Sequence, residues 1–188
     1  MARFLTDPER RTLAAAADRI APPLDEHPGA AALGVVDYVE GLLTAFDHDP
    51  PRIHAGGPFS GRHGGEASFA DFLPLSRLET LAWRIRIEGT QGDPAREFNG
   101  PVVGFQERYR TGLAALGADF ADVDPDTQDR RLAADEAFRT LLHEHTCEAC
   151  YGDPVYGGNR DGAGWRAIRF AGDVQPRGYT DAEVSGRD

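Results

Sequence analysis

Glycine and proline are concentrated in a few stretches of this chain, and their distribution is the strongest limit on what the chain can fold into. The sequence holds 22 glycines and 13 prolines, more than is usual for a globular protein. They are densest in residues 47–74 and in GDPVYGGNRDGAGW, residues 152–165. Glycine lets the backbone approach other groups closely, and both residue types are disfavoured inside helices. The pattern predicts compact elements joined by long, shaped loops.

Apolar residues recur at helical spacing between these stretches. Two of the segments open with a capping box, in which a hydroxyl and a glutamate satisfy each other's backbone N–H groups. Thr6 with Glu9 marks the start of the first helix, and Ser76 with Glu79 marks the third. The remaining helices are predicted over about residues 29–46, 101–116, 125–134 and 135–150.

The predicted fold class is mainly α, because no stretch alternates convincingly between apolar and polar residues. We expect five to six helices with long, ordered Gly/Pro-rich loops and no substantial sheet. Leu78 and Val102 are among the residues expected on inward helix faces. We expect a single domain over 1–188, with a helical body over about 6–150, the long loop 47–74, and a Gly-rich extended segment over 151–188.

The charge balance limits the possible partners. A net charge of −11 argues against binding nucleic acid, which requires a basic face. No basic amphipathic stretch indicates an anionic membrane surface, and no apolar run approaches the ~20 residues that span a bilayer. We therefore expect no direct membrane insertion.

Arg10 and Arg11 form a twin-arginine pair, but Asp18 and Arg19 interrupt the apolar stretch that an export signal would need. We therefore expect no export signal in the chain and a cytoplasmic location as the sequence is written. A periplasmic or extracellular location is the alternative if a partner carries the chain or if the chain is trimmed.

The stretch EHTCEACYG offers the sharpest candidate for chemistry. His143, Cys147 and Cys150 lie at i, i+4 and i+7, on one face of a helix. This spacing is compatible with a metal site, with a disulfide between the two cysteines, or with thiols that only pack. A c-type haem is excluded, because Tyr151 stands where the histidine would be.

Other motifs of catalysis are missing from the sequence. All 20 basic residues are arginine, so neither a Schiff-base lysine nor a P-loop lysine exists. No G-x-G-x-x-G opens a helix after a strand, and Ser60 lacks the G-x-S-x-G frame. This favours a non-catalytic protein that carries no cofactor of its own.

Five stretches together carry a resemblance to a known family. They are LTDPERRTLAAAADRIAPP, PRIHAGGPFSGR, FLPLSRLETLAWRIRIEGT, REFNGPVVGFQERYR and YGDPVYGGNRDGAGWRAIRFAGDVQPRGYT. With these, the chain resembles the gluconate 2-dehydrogenase subunit 3 family from about Phe4 to Thr180. Members of that family are small subunits that accompany flavin-dependent dehydrogenases of the glucose–methanol–choline (GMC) type.

The resemblance implies a subunit without flavin, whose large partner holds FAD and oxidises a sugar or sugar-acid alcohol. A cytochrome c subunit commonly takes the electrons, and the small subunit is thought to support folding, stability or export of its partner. The chain departs from the family in lacking the frequent twin-arginine signal, and in Cys147 and Cys150, which replace usually apolar or aromatic residues. The alternative is a stand-alone metal or thiol redox protein that uses these cysteines with His143.

The two Gly-rich loops are the expected docking surface for the flavoprotein. Their aromatic and arginine side chains are spaced singly among small residues, a composition typical of interfaces. The other interpretation is that the loops fold back on their own helices. The candidate partner-binding residues are Phe59, Arg62, Phe69, Phe72, Tyr156, Asn159, Arg160, Trp165 and Arg166.

Overall fold

The computed structural model describes residues 3–56, 69 and 71–170, and these residues form a mainly helical fold, as predicted. The described residues contain seven α-helices, one more than the largest expected number. The extra helix, α7, lies in the segment that was expected to be extended. The helices are α1 (Asp7–Ile20), α2 (Val35–Leu43), α3 (Arg77–Glu88), α4 (Phe105–Leu116), α5 (Pro125–Ala134), α6 (Glu136–Tyr151) and α7 (Ala163–Ala167).

Local signals at helix starts are confirmed. In α1, Thr6 Oγ1 accepts from the backbone N–H of Glu9, and Glu9 Oε2 accepts from the N–H of Thr6 at 2.8 Å. Ser76 and Glu79 repeat this arrangement at α3. Each box satisfies N–H groups that have no partner inside the helix.

The start of α2 differs from the expectation, because the chain turns at Gly34 before the helix begins. Gly34 has φ of 95°, in the left-handed region, and a Cβ at this position would lie 2.8 Å from the carbonyl oxygen of Gly157. Glycine is therefore required by a neighbour that is distant in the sequence. The helix is confined to Val35–Leu43 instead of extending over 29–46.

The helix α4 also begins later than predicted, at Phe105. The preceding Gly104 packs against the backbone at Gly89, where a Cβ would clash. Val102 lies in the extended segment before α4, and its carbonyl accepts from the N–H of Thr90 at 3.1 Å. Val102 is 43% exposed, so the expectation that it faces inward is wrong.

Leu78 in α3 is also not a core residue, because it is 75% exposed. The fully buried residue of this helix is Ile87, one residue before its C-terminal end. Trp83 is half-buried and packs against the core from the same helix.

The core lies where α1 packs against α2, α4, α5 and α6. Tyr109 and Phe120 are its largest fully buried side chains, and α6 contributes Leu141, Leu142 and Cys150. The described residues contain two strands, β1 (Ala55–Gly56) and β2 (Asp71–Phe72), which pair antiparallel. This short pairing joins the two ends of the long loop.

Within the described part of the chain, no helix is both long and apolar enough to cross a membrane. Two of the candidate partner-binding residues, Phe59 and Arg62, lie outside the described residues.

Candidate functional site

Residues 152–165, hereafter the C-terminal loop, lie against the end of α6. Gly158 and Gly164 approach the helix so closely that a Cβ at either position would clash with the carbonyl oxygens of Ala149 and Cys150. On the other side, Gly157 lies near the backbone of Asp37 in α2. These glycines are needed because backbone packs on backbone.

Asn159 is buried and stabilises the C-terminal loop through hydrogen bonds. Its side chain has no exposed surface, and its backbone N–H donates to the carbonyl of Ala149 at 2.6 Å. The side-chain amide donates to the carbonyl of Gly152, while its oxygen accepts from the N–H of Gly164, both at 2.9 Å. Asn159 has φ of 44°, a conformation that asparagine tolerates better than most residues. It shapes the loop and offers no surface to a partner.

Arg160 connects the same loop to α2. Its guanidinium is paired with Asp37, which also accepts from Arg10 at 2.9 Å. Burial by itself would raise the pKa of Asp37, but the hydrogen bonds from the two arginines outweigh it and hold that pKa below its ordinary value. The backbone N–H of Arg160 donates to the carbonyl of Leu33 at 3.1 Å.

Trp165 and Arg166 bond to backbone groups of the chain. The indole Nε1 of Trp165 donates to the carbonyl of Tyr151 at 2.7 Å, and its ring meets that of Phe170 at 5.5 Å between centroids. Arg166 donates to the carbonyl of Asp161 and is exposed.

Tyr156 joins the two Gly-rich stretches. Its hydroxyl accepts from the backbone N–H of Ala55, at 2.9 Å, and its ring meets that of Phe72 edge to face at 5.7 Å. The N–H of Phe69 donates to Asp153 at 3.1 Å. The structure therefore brings Phe72 and Tyr156 together and places the backbone of Phe69 against Asp153 of the C-terminal loop.

A pocket of about 190 Å³ opens beside Tyr156 and Phe72, between α2, α3, α4 and α6. Most of its wall comes from aromatic rings and long polar side chains on helices. The lining residues are Tyr38, Gly41, Leu42, Arg52, Ile53, Phe72, Trp83, Arg86, Phe105, His145, Glu148 and Tyr156.

His145 forms a buried part of the pocket wall. Its Nδ1 lies 2.9 Å from the hydroxyl of Tyr109, and the edge of Phe105 meets its ring at 4.8 Å between centroids. Burial, assisted by the positive charge of Arg86, lowers the pKa of His145 to about 4. The imidazole is therefore neutral at physiological pH.

The polar groups at the pocket differ in whether they have hydrogen-bond or ion-pair partners within the chain. The Tyr38 hydroxyl donates to Glu148 at 2.5 Å, and burial raises the pKa of Tyr38. The Arg86 guanidinium lies 5.2 Å from the ring centres of both Trp83 and Phe105. Within the described residues, the side chains of Arg52 and Arg86 make no hydrogen bond or ion pair.

Comparison with known families gives a match over residues 7–172 to the model for gluconate 2-dehydrogenase subunit 3. The chain belongs to this family. The matched residues contain every helix of the described fold, from α1 to α7. Searches of curated proteins and of solved structures give no match. Membership in the subunit 3 family identifies the chain as an accessory subunit of a dehydrogenase complex.

The cysteines of this subunit 3 chain lie in different environments along α6. Cys147 is half-buried, with its Sγ 3.8 Å from Nε2 of the exposed His143, while Cys150 is fully buried. Both are free thiols in the structure. Burial raises the pKa of Cys147, and raises that of Cys150 to about 11. No group of three or more His, Cys, Asp or Glu side chains in the described ranges could hold a metal ion. The arrangement fits packing thiols.

Sequence analysis did not bring Trp83, Phe105 and His145 together as parts of one site. It missed Tyr38, Arg86 and the other helical wall residues as a site. The signal for them is weak, because the pocket combines four helices and each contributes only one to three residues.

Proposed function

We propose that this chain is a non-catalytic accessory subunit of an FAD-dependent, GMC-type sugar or sugar-acid dehydrogenase complex. It supports the folding, stability or maturation of the flavin-bearing subunit, and a cytochrome c subunit is the further partner. The family match over residues 7–172 carries the proposal, because it includes the whole helical body and most of the C-terminal stretch.

The exposed apolar side chains support the proposal that a partner covers part of the surface of this chain. Phe98 is 67% exposed and Val103 58%, both in the segment between α3 and α4 that also contains Val102. Neighbouring exposed apolar residues of this kind mark interaction sites more often than single ones do. The pocket adds aromatic and arginine side chains, the types that dominate binding energy at interfaces.

Co-expression with the GMC-type flavoprotein of the same organism tests the proposal. We expect the two chains to elute together in size-exclusion chromatography, with the flavin absorbance in the complex. The chain purified alone should be colourless and should oxidise no sugar. A lone chain that retains flavin through gel filtration, or a flavoprotein that never co-elutes with it, would overturn the proposal.

Substitution of the two cysteines distinguishes this function from that of a thiol redox protein. A complex that carries both Cys147→Ala and Cys150→Ala should keep wild-type dehydrogenase turnover, because the electrons pass through the flavin subunit. Loss of turnover in a folded, flavin-loaded double variant would contradict the proposed role and favour thiol chemistry.

A further inference from the structure

The pocket beside Tyr156 is the size of a single side chain. Pockets for drug-sized ligands usually have volumes of roughly 300–1,000 Å³, whereas this one has about 190 Å³. Its wall includes the rings of Trp83, Phe105, Phe72 and Tyr156. Such a pocket suits one aromatic ring, since ring edges and faces surround the space.

The charge of the wall selects for an acidic neighbour. Eight arginines elsewhere in the described residues form ion pairs, as expected in a chain with a net charge of −11. Arg52 and Arg86 are among the described arginines that form no ion pair, and both line this pocket. Glu148 is the carboxylate of the lining, and its Oε2 already accepts from Tyr38. The free guanidinium groups are therefore complementary to a carboxylate from outside the chain.

We propose that the pocket receives one aromatic side chain of the flavin-bearing subunit, with an adjacent carboxylate of that subunit paired to Arg86 and Arg52. This inference rests on the function proposed above and adds the anchor point of the complex. Interfaces concentrate their binding energy where an aromatic residue fills a preformed pocket and a charged pair is shielded from water. Tyr156 and Phe72 make the anchor continuous with the two Gly-rich stretches.

A larger side chain substituted at Gly41 can fill the pocket from within the chain itself. Gly41 lines the pocket from the helix α2, and a Cβ there would meet its nearest atom, the carbonyl oxygen of Tyr156, at an ordinary 3.7 Å. Gly41→Phe therefore places a ring in the space that the partner's ring would occupy, and Gly41→Ala is the matched control that adds only a methyl group. We expect Gly41→Phe to weaken binding of the full chain to the flavin subunit roughly tenfold or more. Gly41→Ala should leave the affinity within about twofold.

Charge reversal tests the second half of the anchor. Arg86→Glu should weaken the same complex roughly tenfold or more, because it faces the partner's carboxylate with a like charge. Arg139→Glu on the exposed face of α6 changes the net charge equally and lies outside the pocket lining. It should leave the affinity within about twofold.

The affinities can be measured by biolayer interferometry with the immobilised flavin subunit, and folding by near-UV circular dichroism. If the wild-type chain does not bind, the proposed function itself fails. If the wild type binds and both Gly41→Phe and Arg86→Glu bind within about twofold of it, the complex exists and the anchor is elsewhere. Should Gly41→Phe fail to fold, the comparison of Arg86→Glu with Arg139→Glu decides the inference.

Discussion

The C-terminal loop and the adjacent pocket contain the same kinds of residue, aromatic rings and arginines, but differ in whether their polar groups are satisfied. In the loop, Asn159, Arg160 and Trp165 all bond to groups of their own chain. At the pocket, Arg52 and Arg86 make no such bond within the described residues. Composition alone therefore cannot distinguish a loop that holds the fold together from a surface that binds a partner. Bond partners can.

The comparison implies that loop variants affect stability and pocket variants affect binding. The largest effect is expected for Asn159→Ala, which leaves the buried N–H of Gly164 and the part-buried carbonyl of Gly152 without their side-chain partner. Unpaired buried groups cost about 1–3 kcal/mol each, so the free energy of unfolding should fall by roughly 3 kcal/mol or more. Urea denaturation measures this change.

The matched control for that change is Asn99→Ala, at the chain's other, exposed asparagine. It should shift the free energy of unfolding by less than about 0.5 kcal/mol. Equal effects of the two variants would mean that the loop is not held by Asn159.

The next effect is smaller and concerns the glycines. Gly164→Ala introduces a Cβ that clashes with the carbonyl of Cys150, so the C-terminal loop must move away from α6. We expect destabilisation of about 2 kcal/mol. Gly41→Ala at the pocket has room for its Cβ and lies inside a helix, so it should stabilise the chain by up to about 1 kcal/mol. Opposite signs in parallel urea titrations would confirm the contrast between a packed loop and an open pocket.

These glycines also show how far the sequence could predict the fold. The bounds of α5 follow from local chemistry, because Asp124 caps the helix and Pro125 suits its first position. Gly34 and Gly104 delay the starts of α2 and α4 because they contact Gly157 and Gly89, a requirement that no local pattern expresses.

The candidate site was predictable only in part, for the same reason. Phe72 and Tyr156 were recognised from loop composition, and the structure does place them side by side. Arg86 lies on α3 and Tyr38 lies on α2. The apolar residues of these helices fully explain the helical periodicity of the sequence, so the periodicity does not indicate a site. The convergence of Arg86 and Tyr38 depends on how α2 and α3 pack around α4 and α6, which is a property of the tertiary structure.

His145 in the pocket wall contributes a pH dependence to the stability of the chain. The pKa of His145 is lowered to about 4 in the folded chain, mainly by burial, against about 6.5 in the unfolded chain. The unfolded state therefore binds a proton first as the pH falls, and stability present above pH 6.5 is lost below it. Between pH 6.5 and 5.5 this histidine should lower the free energy of unfolding by about 1 kcal/mol.

Urea titrations at the two pH values test this dependence. His145→Gln should reduce the pH slope, whereas His143→Gln, an exposed histidine on the same helix, should retain the wild-type slope. An unchanged slope in His145→Gln would show that other groups dominate the acid response.

The smallest effects compare one arginine from each region in the isolated chain. Arg160→Ala removes the ion pair between Arg160 and Asp37. Because both side chains of this pair are about half exposed, the free energy of unfolding should fall by only about 0.5–1 kcal/mol. Arg86→Ala removes a guanidinium that has no ion pair in the described structure, so its effect should stay within about 0.5 kcal/mol. Binding to the flavin subunit should show the reverse order, with Arg86→Ala impaired and Arg160→Ala close to wild type. If Arg160→Ala weakens the complex more than Arg86→Ala does, the partner contacts the C-terminal loop directly, and the distinction between the two regions is wrong.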